Sequence, residues 1–72
     1  MNSDSDIQVL KTLDHALDIL EIFDPSFPLY SIADIAKKTG VHKSSVYRIV
    51  KLLAKRGYLE CNSTTHQYGL GL

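Results

Sequence analysis

Residues 39–50, "TGVHKSSVYRIV", decide how this chain folds. Gly40 can take the positive φ of a sharp turn, and Val46, Ile49 and Val50 begin a three-and-four spacing that continues to Leu53. Four residues before Gly40 stands the small Ala36, and six after it Val46, so the pattern is A-xxx-G-xxxxx-V. Two short helices that cross steeply need a small residue at the contact, a glycine at the turn and an apolar residue that holds the second helix onto the first. Ile32, Ile35, Val41 and Ile49 supply the other inward positions of such a helix-turn-helix.

Upstream, Ser31 with Asp34 three residues on reads as a helix N-cap resembling a capping box, which starts a helix over about Ile32 to Lys38. Leu29-Tyr30 is a short extended piece. Before it, "DPSFP" at 24–28 ends a first helix that spans Val9 to Phe23, because prolines cannot continue it. Positions 13, 16, 17, 20 and 23 are the expected inward stripe of that helix. Asp14, Asp18 and Glu21 lie on its other face, and residues 1–8 are expected to form a flexible start. Downstream, a third helix runs from about Lys43 to Lys55 and stops at Gly57. Strand-like pieces at 58–60 and 67–70 then flank a polar connection, forming a hairpin wing over about 58–70, with Tyr58 and Tyr68 expected to pack. The predicted fold is mostly α with a small β-hairpin: a single winged helix-turn-helix domain, three helices plus wing, over residues 1–72.

Eight basic and eight acidic residues cancel, which alone argues against a polyanionic partner. Their distribution argues the other way. Asp4, Asp6, Asp14, Asp18, Glu21, Asp24 and Asp34 face only Lys11 in the first half, whereas Lys37, Lys38, Lys43, Arg48, Lys51, Lys55 and Arg56 face only Glu60 in the second. From Lys37 to Arg56 there is no carboxylate. Such a split points to a nucleic-acid or other acidic partner for one face.

Other function classes find little support. The lone Cys61 allows no internal disulfide and fits a reducing cytoplasm. No signal peptide or membrane-length apolar run is evident. His15, His42, His66 and Cys61 lack the spacing of a zinc site. Neither a phosphate loop nor a catalytic constellation is present, so the expectation is a protein that is not an enzyme and has no cofactor, metal or small-molecule site.

The outward face of the third helix carries Ser44, Tyr47, Arg48, Lys51 and Lys55. A recognition helix enters the major groove N-terminus first, so these side chains can reach bases and phosphates, with Arg48 suited to guanine. Lys43 suits a phosphate near the positive helix end. Of the pair Ser44 and Ser45, one is expected to cap the helix and the other to touch DNA. Ser31, His42 and His66 complete the candidate DNA-binding set, while Lys37 and Lys38 either approach phosphates or end their helix favourably. The competing reading is a winged helix used for protein interaction or dimerisation without DNA. In either case Ile19 and Ile22 widen the apolar face of the first helix enough for a dimer contact.

The run "S-I-x-x-I-A-x-x-x-G-V-x-K-S-S-V-Y-R-I-V-x-x-L-x-x-x-G-Y-L", then "Y-G-L-G", resembles the N-terminal DNA-binding domain of IclR-type bacterial transcriptional regulators. "L-x-H-A-L-x-I-L-E-I-F" looks like its first helix. The likeness spans about Val9 to Leu72 and rests most on Gly40, Ser44, Ser45, Arg48, Leu53, Gly57, Tyr58, Tyr68, Leu70 and Gly71. It implies double-stranded operator DNA as partner, near-palindromic sites, dimers or tetramers, and repression or activation governed by a larger C-terminal metabolite-sensing domain, which these 72 residues lack. Family members often carry proline where this chain has His42.

Overall fold

The computed structural model describes residues 3–25 and 29–71, and in chain order it contains α1 (Ser3–Glu21), α2 (Ile32–Thr39), α3 (Lys43–Lys55), β1 (Leu59–Asn62) and β2 (Gln67–Leu70). This is the winged helix-turn-helix that the spacing predicts.

The start of α2 is built by two reciprocal hydrogen bonds. The Asp34 N–H donates to Ser31 Oγ at 3.1 Å, and the Ser31 N–H donates to the Asp34 carboxylate at 3.2 Å. A capping serine of this kind contributes about 1 kcal/mol relative to alanine. The Ser31 N–H, then its hydroxyl, hold the Asp34 carboxyl below the ordinary aspartate value. A depressed folded-state value means stability that is complete above the unfolded aspartate range and lost as pH falls through the folded value. Chemical denaturation at pH 6 and pH 3 checks this: wild type should lose more stability across that interval than Asp34→Asn, whose amide does not titrate.

At the far end of α2, Gly40 sits at φ 74° and its N–H bonds Ala36 O at 2.9 Å. Only a residue without a Cβ takes that conformation without strain. Thr39 Oγ1 ties the turn together, donating to Ile35 O at 2.8 Å and accepting from the Val41 N–H at 3.2 Å. Val41 is thereby delivered into the core. That core comprises Ile19, Phe23, Ile35, Val41, Val46, Ile49, Val50, Leu59 and Tyr68. Each large apolar side chain fully buried contributes about 1.5–3 kcal/mol, which matters in a chain small enough to be only marginally stable.

The wing is an antiparallel hairpin with Leu59 opposite Leu70 and Asn62 opposite Gln67. Tyr30 adds a bridge on the other side of β2, exchanging backbone bonds of 2.9 and 2.7 Å with Tyr68, so the expected extended piece at Leu29-Tyr30 is part of the sheet. Phe23 meets the Tyr30 ring edge-on at 5.4 Å and 76°, which locks the end of α1 to this bridge. Burial pushes the Tyr68 phenol above the usual tyrosine value. Gly71 closes the wing against the end of α3: its N–H bonds Tyr58 O at 2.9 Å, and a Cβ there would run into the Gly57 carbonyl.

Three expectations are corrected. Helix α1 begins at Ser3 and not near Val9. Its inward face is rotated: Ile19 and Phe23 are buried with Ala16, Leu20 and Ile22 packed against the core, whereas Leu13 and Leu17 are 55% and 56% exposed. Both stripes satisfy three-and-four spacing and share Phe23, and the packing of α1 on the body of the domain selects the one with Ile19. Tyr58, expected to pack, is exposed, and its neighbour Leu59 takes the inward place. Of "DPSFP", residues 26–28 lie outside the described part, as does Leu72.

Candidate nucleic-acid interface

Because Val46, Ile49 and Val50 are held inward, α3 has one rotational setting on the body of the domain. Lys43, Ser44, Tyr47, Arg48, Lys51 and Lys55 all emerge on its exposed side. The first turn carries no acid. Lysine, arginine and the positive helix end therefore add along one surface. The Lys51 ammonium lies 5.5 Å over the Tyr47 ring, so these two predicted residues form a single unit in which the aromatic face steers the charge.

Ser45 departs from that stripe. It is half-buried and lines a cleft of about 250 Å³ with Arg48 and Ile49 on one wall and Gln8, Thr12 and His15 of α1 on the other. Arg48 thus stands at the border between the outward face and α1. The α1 residues were not legible as neighbours of the site, since only the packing of α1 across α3 brings them there.

Neither serine caps α3. His42 does: its Nδ1 accepts the Ser44 N–H at 3.4 Å and lies 2.9 Å from Ser44 Oγ. Histidine is not among the favoured N-cap residues, so propensity pointed to the serines instead. Ser31 is half-buried, with its hydroxyl engaged in the α2 cap. Lys38 stands 5.4 Å over the Tyr30 ring, beside Lys37 in a shallow cleft with Asp34 and Leu29. That arrangement sets it on the α2 side, away from the α3 stripe.

At the wing tip, Asn62 Oδ1 accepts the N–H groups of Thr64 and Thr65 at 2.9 and 3.1 Å, and His66 closes the turn at φ 58° by donating its N–H to Asn62 O at 2.7 Å. The His66 ring is exposed at this tip. Between Gly57 and Leu72 there is no lysine or arginine, so apart from Lys11 the basic residues lie on α2, on α3 and at Arg56 just beyond it. Among the described residues no group of three or more His, Cys, Asp or Glu side chains could hold a metal ion, and no helix is long and apolar enough to cross a membrane.

Comparison with known proteins agrees with this architecture. The family profile of the IclR helix-turn-helix domain matches residues 12–63. The HTH-type transcriptional regulator XynR of Escherichia coli is 31% identical over 64 residues, covering 89% of this chain and 25% of the relative. BhcR of Paracoccus denitrificans, also an HTH-type transcriptional regulator, is 36% identical over 62 residues, covering 86% and 22%. The crystal structure of an IclR-family transcriptional regulator from Brucella abortus superposes with a TM-score of 0.77 at 32% identity, covering 83% of this chain and 23% of that one. The chain thus spans about a quarter of the length of these relatives. With the helix-turn-helix, the wing and the sequence match coinciding on the same residues, the chain belongs to the IclR helix-turn-helix family, the DNA-binding domain of transcriptional regulators.

Proposed function

We propose that this domain reads a specific operator in the cytoplasm as part of a transcriptional regulator, with α3 in the major groove and the 63–66 wing tip against backbone or minor groove. The observation that carries the reading is the coincidence of the exposed α3 stripe with a stretch free of carboxylates from Lys37 to Arg56. In this reading Arg48, Ser44 and Tyr47 reach base edges; Lys43, Lys51, Lys55 and His42 hold phosphates; Ser31 caps α2 and Ser45 lines the cleft against α1; and His66 touches the wing-side strand. Selection from randomised duplexes tests it. Enrichment of a recurring, near-palindromic sequence is the expected result, and recovery of unenriched DNA would remove sequence reading from the domain.

We further propose that the domain works as a homodimer through α1. Ile7, Leu10, Leu13 and Leu17 recur at three and four residues and are each at least half exposed, forming an apolar stripe on a face of α1 that the core leaves uncovered. A soluble domain leaves such a continuous stripe where a partner covers it. Pairing through this surface would set two α3 helices on successive half-sites. Sedimentation equilibrium should show dimers for wild type and monomers for Leu13→Asp. An unchanged mass for Leu13→Asp together with Leu17→Asp places the contact elsewhere.

A further inference from the structure

His42 and Ser44 meet side chain to side chain at the leading turn of α3. The Ser44 N–H is directed at His42 Nδ1 at 3.4 Å, a contact that suits the tautomer with a lone pair on Nδ1 and the ring hydrogen on Nε2. Ser44 Oγ lies 2.9 Å from the same nitrogen. In that tautomer two facing lone pairs would repel, and the hydroxyl points its hydrogen at Nδ1. With its hydrogen so engaged, Ser44 turns only acceptor lone pairs outward.

We propose that His42 is a positioning residue for sequence specificity, making Ser44 an acceptor-only reader of the major groove. This inference rests on α3 being the groove-reading helix. In the major groove only adenine N6 and cytosine N4 are donors, while guanine N7 and O6, adenine N7 and thymine O4 are acceptors. Ser44 therefore selects an exocyclic amine at the position it reaches and disfavours guanine or thymine there. A serine with a freely rotating hydroxyl would accept either class. The His42 Nε2–H, facing away from the shared contact, is a donor for a neighbouring phosphate.

The test compares wild type, Ser44→Ala, His42→Ala and His42→Asn by selection from randomised duplexes, with circular dichroism to confirm that each variant is folded. Wild type should favour adenine or cytosine at one position of each half-site by about threefold to tenfold, the net value of one hydrogen bond. Ser44→Ala should flatten that position alone and so identify it. His42→Ala should flatten the same position while the others keep their preferences. His42→Asn should restore it, because the amide oxygen accepts both the N–H and the O–H. An unchanged preference in His42→Ala, or guanine or thymine favoured at the Ser44 position by wild type, overturns the proposal. Failure of every protein, wild type included, to enrich any sequence instead overturns the DNA reading on which it rests.

Discussion

Ile19→Ala should lower the unfolding free energy of the domain by about 2–5 kcal/mol, whereas Leu17→Ala, two residues earlier, should leave the unfolding of the monomer within about 0.5 kcal/mol of wild type. The contrast follows from burial: Ile19 is fully enclosed and Leu17 is 56% exposed. Removing three carbons from Ile19 leaves a cavity where α1 meets the body of the domain. For so short a chain each kcal/mol moves the midpoint by about 4–8 °C, so Ile19→Ala should melt at least about 8 °C lower. Thermal denaturation at low protein concentration, where association does not contribute, measures both. Equal losses for the two substitutions would mean that α1 presents its other stripe to the core.

Arg48→Ala should weaken the selected operator by about 1–3 kcal/mol while changing affinity for random duplex much less, so that preference at one base position disappears. Arg48 is exposed, borders the α1 cleft and has a planar fork that matches guanine N7 and O6. Competition titrations with operator variants substituted one pair at a time locate the affected position. Arg48→Lys should recover little, since an ammonium cannot make the paired contact. Parallel losses on operator and random DNA would make Arg48 a phosphate residue.

Much of the helix-turn-helix was legible because its requirements are local. Ala36, Gly40 and Val46 answer steric demands at fixed separations, and Ser31 with Asp34 satisfies backbone donors within one turn. The outward stripe of α3 was legible for the same reason, as the complement of Val46, Ile49 and Val50. What escaped the sequence depends on contacts between elements. Helix α1 is apolar over so much of its circumference that periodicity admits two inward faces, and only its packing chooses Ile19. Tyr58 and Leu59 are both good strand residues, and the register of the wing decides which turns inward. The cap of α3 was missed for a chemical reason: an imidazole nitrogen can do what a serine oxygen usually does, and residue preferences do not weigh it. Gln8, Thr12 and His15 stand beside Ser45 and Arg48 through the crossing of α1 and α3, which nothing in their local sequence announces.

The wing is the weaker electrostatic partner. With no lysine or arginine from Gly57 to Leu72, it should contribute little counterion release to duplex binding. Affinity should accordingly be set by α3.

A salt titration of duplex binding by wild type and Lys51→Ala is the decisive measurement for an α3 surface that binds DNA. Log K should fall linearly with log salt by about 0.9 for each phosphate neutralised, and Lys51→Ala should weaken operator and random duplex alike while lowering the slope by about one. Duplex binding that is absent at low salt, or a slope that Lys51→Ala leaves unchanged, would contradict it.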